Sequence, residues 1–224
     1  MDENILARYN SAEGADDYLH KFERHWTERV NNWHEQRLIR RFLRSVSAVD
    51  PNGLALDLPC GYGRLYSIVR ELGIPVVEGD WSFPLLTTAR GIHARRYALE
   101  PSQNYVRANA LALPFSGGAF EFVLSARLSH HIRDYEQRLQ HLRELLRVSR
   151  KWVMFTYFDA GSVKNRLHEF RRRSHGKRAK WTLTLEEVQT IGRAEGFEVI
   201  KWAWISRYFS GHRYVLLRRR NRDT

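Results

Sequence analysis

An α/β fold with a doubly wound, mostly parallel sheet is the class these 224 residues predict. Three observations carry it. Short apolar runs alternate with amphipathic helical stretches, which implies parallel strands joined by helices. The last two apolar runs follow each other without a helix between them, which implies a closing antiparallel hairpin. The hydrophobic content of 43% supports a sizeable core.

The elements follow in order. Residues Asp16 to Val46 read as helical. Tyr18, Phe22, Trp26, Val30 and Trp33 recur at helical spacing, and Leu38, Phe42 and Val46 continue the series. This is the expected N-terminal helical cap, residues 1–50. Asp50-Pro51-Asn52-Gly53 is a turn. Leu54 to Leu58 is a buried strand, and Leu65 to Leu72 a helix. Ile74 to Asp80 is the second strand, and Phe83 to Gly91 the next helix. Tyr105 to Arg107 and Ala119 to Ser125 are the third and fourth strands. Tyr135 to Ser149 is an amphipathic helix with Leu139, Leu142, Leu145 and Leu146 on one face. Trp152 to Phe158 is the fifth strand. Thr184 opens a helix with Glu187 three residues on, a capping box, and that helix ends near Gly196. Phe197 to Ile205 and Tyr214 to Leu217 form the hairpin. One domain is expected: a core over 51–158, a basic insertion over 159–181, a C-terminal helix and hairpin over 182–217, and a basic tail over 218–224.

Lys and Arg number 37 against 25 Asp and Glu, a net charge of +12 that favours anionic partners. The single cysteine, Cys60, excludes an internal disulfide. No apolar run approaches the roughly 20 residues of a membrane span, and Met1-Asp2-Glu3-Asn4 lacks an apolar signal core. A cytoplasmic protein without integral membrane insertion is expected. Histidines and acids show no metal-ligand spacing, so no metal is expected.

The densest motif is Ala55-Leu56-Asp57-Leu58-Pro59-Cys60-Gly61-Tyr62-Gly63-Arg64. An apolar strand ends in an acid, and a tight glycine loop leads into a helix. Glycines let the backbone approach a ligand, and the helix's first N–H groups favour an anionic group. A dinucleotide loop needs G-x-G-x-x-G. Here Tyr66 stands at the third glycine position, which counts against NAD and FAD.

This loop resembles the first motif of the class I S-adenosylmethionine-dependent methyltransferases, with Pro59 where glycine is usual. Val77-Glu78-Gly79-Asp80-Trp81-Ser82 is similar to that superfamily's G-x-D-x-S, and the match assigns Asp80 to the ribose hydroxyls. Ala108-Asn109-Ala110-Leu111-Ala112-Leu113-Pro114-Phe115, followed by Phe120-Glu121-Phe122-Val123, is similar to its third motif. Asn109 and Glu121 replace the usual aspartates. The resemblance implies a seven-stranded Rossmann-like sheet and S-adenosylmethionine as cofactor. It implies Asp57, Pro59, Gly61, Gly63, Asp80, Trp81, Asn109, Ala110 and Ser125 as the residues that hold it. The side-chain oxygen of Asn109 would meet the adenine amino group, and the Ala110 N–H a ring nitrogen.

In that fold the loop Ser125-Ala126-Arg127-Leu128-Ser129-His130-His131-Ile132 overlies the transferable methyl. It lacks the N/D-P-P-Y/F of amino-methyltransferases on DNA, and no cysteine stands ready to attack cytosine carbon-5. It resembles the broad group that acts on small molecules and lipid-like acceptors. His131 or His130 can take a proton from the acceptor, or pack against the sheet. Arg127, with Arg171, Arg172, Arg173 and Lys177 of the basic insertion, can hold an anionic acceptor. The expected function is direct methyl displacement onto an anionic small molecule, lipid or glycan. An RNA acceptor stacked on Trp181, Trp202, Trp204 and Tyr208 is the alternative. A non-catalytic binding or scaffold protein is the third reading, against which Asp57, Gly61, Gly63 and Asp80 stand intact.

Overall fold

Eight strands form one mixed sheet. A computed structural model of the chain describes residues 11, 13–14, 26–97, 105–168, 181–206 and 210–220. The strands are β1 (Ala55–Asp57), β2 (Val76–Asp80), β3 (Tyr105–Arg107), β4 (Phe120–Ser125), β5 (Ser149–Asp159), β6 (Thr182–Leu183), β7 (Phe197–Trp204) and β8 (His212–Arg219). Their order is β3-β2-β1-β4-β5-β8-β7, with β6 beside β5. β1 to β5 run parallel, and β8 pairs antiparallel with both β5 and β7. The expected parallel sheet with its closing hairpin is present. β6 is an addition: two residues after the basic insertion pair with the end of β5 at Phe158 and Asp159.

The helices described in full are α1 (Trp26–Leu43), α2 (Tyr66–Val69), α3 (Phe83–Tyr97), α4 (Tyr135–Val148) and α5 (Leu185–Ala194), and residues 163–168 of the basic insertion are helical as well. Alternation along the strands sends side chains to two cores. Val153, Phe155 and Tyr157 of β5 join Leu142, Leu145 and Leu146 of α4 and Val188 of α5. Trp152 and Met154 join Ile39 and Phe42 of α1 and Ile68 and Val69 of α2. Asp134 caps α4 by accepting from the Gln137 N–H at 2.8 Å. Thr184 and Glu187 close the expected capping box on α5.

Three elements depart from expectation. α2 lasts one turn and gives way to a 3-10 turn, Arg70–Leu72, which ends at Gly73 with φ of 77°. α3 runs past Gly91 to Tyr97, because Leu85, Leu86, Ala89 and His93 continue one buried face. α1 splits the expected series. Trp26, Val30 and Trp33 are 75%, 42% and 56% exposed, whereas Phe42 is buried and Leu38 and Val46 pack against the core, with Glu35 and Ile39 inward beside Phe42. Tyr18 and Phe22 lie outside the described residues. Among the described residues, no helix is long and apolar enough to cross a membrane.

Candidate functional site

β1 has β2 on one side and β4 on the other. The chain order reverses there, and such a switch point opens a crevice beyond the strands' C-terminal ends. A cavity of about 470 Å³ occupies this place. Its walls come from the loop after β1 (Pro59, Gly61, Arg64), the end of β2 (Asp80, Trp81), the loop after β3 (Asn109, Ala110) and the loop after β4 (Arg127, His130, His131). Phe158 of β5 and His212 of β8 complete it.

The loop after β1 is fixed by its neighbours. Cys60 N–H donates to Gly79 O at 2.9 Å, and Gly61 N–H donates to Asp80 Oδ2 at 2.9 Å. Ser82 N–H donates to the other Asp80 oxygen at 2.8 Å. Burial pushes the Asp80 carboxyl upward, against the backbone N–H groups that favour its ionised form. Each oxygen keeps a lone pair for a further donor. Gly63, at φ of 78°, serves packing: a Cβ there would meet His93 Nε2 at 2.2 Å. His93 stacks on Tyr66 at 4.1 Å between centroids.

Asp57 lies beneath this loop, fully buried, with both carboxylate oxygens unbonded. It pairs in register with Glu78 of β2, which is equally buried. Burial raises Asp57 to about 8, with Arg64 opposing and Asp80 and Glu35 adding to the rise.

The sequence-derived cofactor residues thus divide. Pro59, Gly61, Asp80, Trp81, Asn109 and Ala110 line the cavity, whereas Asp57, Gly63 and Ser125 are not among its lining residues. Ser125 is buried, with its hydroxyl 3.1 Å from His141 Nε2. His141 Nδ1 lies 3.1 Å from Ala110 O. A carbonyl only accepts, so Nδ1 carries the proton and Nε2 accepts from Ser125. Burial holds His141 neutral, lowered to about 4. Asn109 Oδ1 accepts from Leu111 N–H at 3.0 Å, so the oxygen expected to meet adenine already closes a local turn.

The other end of the cavity is a wall of rings. His130 lies 4.0 Å from His131, 4.2 Å from Phe158 and 4.9 Å from His212 between centroids. His212 lies at about 3, lowered by burial first and then by the positive field of Arg127. It is neutral at physiological pH. Sequence reasoning missed His212 and Phe158, single residues without a motif.

Glu35 of α1 was missed as well. It is fully buried and holds the two cavity arginines. Arg64 Nη2 approaches its Oε2 at 2.9 Å, and Arg127 grips both oxygens, through Nη2 at 2.7 Å and Nε at 2.9 Å. The Tyr214 hydroxyl donates to Oε1. Burial opposes the charge, but both arginines and these hydrogen bonds outweigh it and hold Glu35 at about 2. Arg127 is kept at φ of 62°, in the left-handed region, with its N–H donating to Thr156 Oγ1 at 2.7 Å. A non-glycine residue held there points to a built site. Arg127, expected to meet an acceptor, therefore has its guanidinium engaged by Glu35. Arg171, Arg172, Arg173 and Lys177 lie outside the described residues. Among the described residues, no group of three or more His, Cys, Asp or Glu side chains can hold a metal.

The cavity fits S-adenosylmethionine. A buried carboxylate, Asp80, stands in the wall, Leu85 and Leu111 are among its apolar lining, and the unbonded Asp57 carboxyl lies behind the glycine loop.

Comparison with known proteins agrees. A methyltransferase-domain family model matches residues 56–153. The 2-phytyl-1,4-naphtoquinone methyltransferase of Synechocystis is 30% identical over 120 residues, 52% of this chain and 50% of that protein. The tRNA (carboxymethyluridine(34)-5-O)-methyltransferase of Saccharomyces cerevisiae is 28% identical over 173 residues, 71% of this chain and 55% of that protein. The chain therefore spans about half the length of these two relatives. The crystal structure of Synechocystis magnesium protoporphyrin IX methyltransferase superposes with a TM-score of 0.81 at 14% identity, covering 98% of this chain and 100% of that one. Residues 56–153 thus match a methyltransferase-domain family, on a fold shared with that methyltransferase structure.

Proposed function

We propose that this chain transfers a methyl group from S-adenosylmethionine to an anionic small molecule with a flat, apolar body. One observation carries the reading: a single cavity joins the Asp80 end to the ring wall of Phe158, His130, His131 and His212. When bound, S-adenosylmethionine supplies a methyl group already activated on a sulfonium. The chain's residues need only bind, orient and manage one proton. Asp80 accepts from ribose hydroxyls with the lone pairs its backbone donors leave. Gly61 lets the chain pass close, and the Ala110 N–H meets the base edge. Trp81, whose ring lies 4.9 Å from the Arg107 guanidinium carbon, closes that end.

At the far end, flat rings favour a flat acceptor. The positive field of Arg127, which adds to burial in keeping His212 neutral, favours an anionic group. His130 is packed among three rings, so His131 takes the acceptor proton. Quinone and porphyrin methyltransferases among the similar proteins support this acceptor class over a glycan. The RNA reading keeps one supporting observation, the 71% of this chain that aligns with the yeast tRNA enzyme.

The test is transfer of labelled methyl to fractionated cell extract. Label in the small-molecule and lipid pools is the expected result. Label confined to RNA overturns the acceptor class. Failure of S-adenosylhomocysteine to bind in calorimetry overturns the function.

A further inference from the structure

α1 has two differently built faces. At 100° per residue, Glu35, Ile39 and Phe42 share the inward side. On the opposite side stand Trp26, Val30 and Trp33 at i, i+4 and i+7, all exposed. Exposed Arg29, Arg37 and Arg41 fall on that same outward side, with exposed Arg44 just past the helix end. The Arg37 guanidinium lies 5.5 Å from the Trp33 ring centroid. The two acids of the helix, Glu28 and Glu35, point the other way. The outcome is an aromatic and aliphatic ridge set among cations; among the described residues the helix itself puts no carboxylate on it, and at its edge Arg40 pairs with Glu71 at 2.7 Å.

We propose that this face docks the protein on an anionic lipid surface. Charge complementarity identifies the occupant. Arg29, Arg37 and Arg41 on one helix face and Arg44 just past its end, on a chain of net charge +12, draw it to a negative surface. Tryptophan suits the level of lipid headgroups, and arginine stems extend along apolar surface while their heads stay wet. Val30 decides against nucleic acid. It neither stacks on a base nor meets a phosphate, yet it occupies the centre of the ridge.

The docking also bears on the reaction. The inward side of α1 holds the cavity arginines: Glu35 takes Arg64 and Arg127, and Asn32 Oδ1 accepts from Arg64 Nη1 at 2.9 Å. A bilayer against the outward side lies about one helix diameter, roughly 10–12 Å, from the acceptor end. An amphiphilic acceptor is then met where it dissolves. This consequence rests on the proposed acceptor class, whereas the docking itself does not.

The experiment is co-sedimentation of the full chain with vesicles, without any methyl transfer. Vesicles of phosphatidylglycerol and phosphatidylcholine should carry the protein down, and pure phosphatidylcholine should carry much less. Trp26→Ala/Trp33→Ala removes exposed rings, so its melting temperature and S-adenosylhomocysteine affinity should match the wild type, while vesicle partition falls about tenfold or more. Equal partition of variant and wild type overturns the proposal. So does indifference to lipid charge, loss in the variant of RNA binding alone, or a dimer that the variant dissolves. Because cofactor affinity is read separately, a docking failure leaves the methyltransferase reading standing, and the reverse holds too.

Discussion

Glu35→Gln is the sharpest single probe of how α1 is joined to the site. Glutamine keeps the size of the side chain and one acceptor for the Tyr214 hydroxyl. It removes the charge that Arg64 and Arg127 face, and so mimics the protonated glutamate. The fold's preference for the ionised form then sets the size of the effect. Glu35 falls from 4.5 to about 2, and at about 1.4 kcal/mol per pH unit this amounts to about 3 kcal/mol. That agrees with the low end of the roughly 3–5 kcal/mol seen when one partner of a buried pair is removed. The sign follows from linkage. A folded pKa below the unfolded one adds stability that is complete above about 4.5 and lost as pH falls through about 2. Urea unfolding at neutral pH should therefore show the variant about 3 kcal/mol less stable, and the gap should close between about pH 4.5 and 2. A gap under about 1 kcal/mol at pH 7, or one that persists unchanged to about pH 2, would refute the reasoning.

Asp80→Ala should weaken S-adenosylhomocysteine binding by about 1.5–3 kcal/mol in calorimetry, because a charged acceptor to two hydroxyls is lost; unchanged affinity removes Asp80 from the site. Asp57→Asn should raise the stability of the free protein near neutral pH. Burial lifts the Asp57 carboxyl to about 8, so ionisation of the unfolded chain between about pH 4 and 8 costs the wild type stability that the variant keeps. A variant no more stable at pH 7 would mean that Asp57 has a compensating partner. His131→Gln should lower kcat by about 10²–10⁴-fold, leave cofactor affinity intact and erase the acidic limb of the pH–rate profile. A wild-type profile would make His131 structural.

What the sequence disclosed was local. The loop after β1, the acid ending β2 and the Asn109-Ala110 turn each lie within ten residues of chain, where spacing alone carries the geometry. The contacts that brace the cavity's walls from behind are distant in sequence. His93 meets Gly63 across 30 residues, and Tyr214 meets Glu35 across 179. No spacing rule reaches that far. Gly63 was legible as a required glycine, but the ring it makes room for was not. Ser125 was legible as standing at the end of β4, but its partner His141 sits on the next helix. The orientation of the first turns of α1 was not legible for a physical reason. Trp26, Val30 and Trp33 have helical period on either side of a helix, and spacing alone does not say which side faces the core. The buried side is anchored by Glu35, a charge, which a count of apolar residues places in water.

The charges around the acceptor end give Glu35 a second consequence, opposite in sign to the first. Arg64 and Arg127 bring two positive charges to the cavity wall, Glu35 cancels one, and His212 at about 3 adds none. One unbalanced positive charge is left, which suits a singly anionic acceptor. Glu35→Gln raises that to two. A folded variant should then bind the anion more tightly, even though its fold is weaker. With an effective dielectric constant of about 20 and partial exposure to water, one added charge is worth roughly 1 kcal/mol, or about fivefold in KM. The measurement compares KM for the labelled acceptor with KM for its uncharged analogue, under conditions where the variant is fully folded. A fall for the anion alone supports the charge argument. Equal changes for both compounds would mean that the cavity has been distorted, and a rise for the anion would mean that Glu35 positions Arg127 for the acceptor rather than limiting its charge.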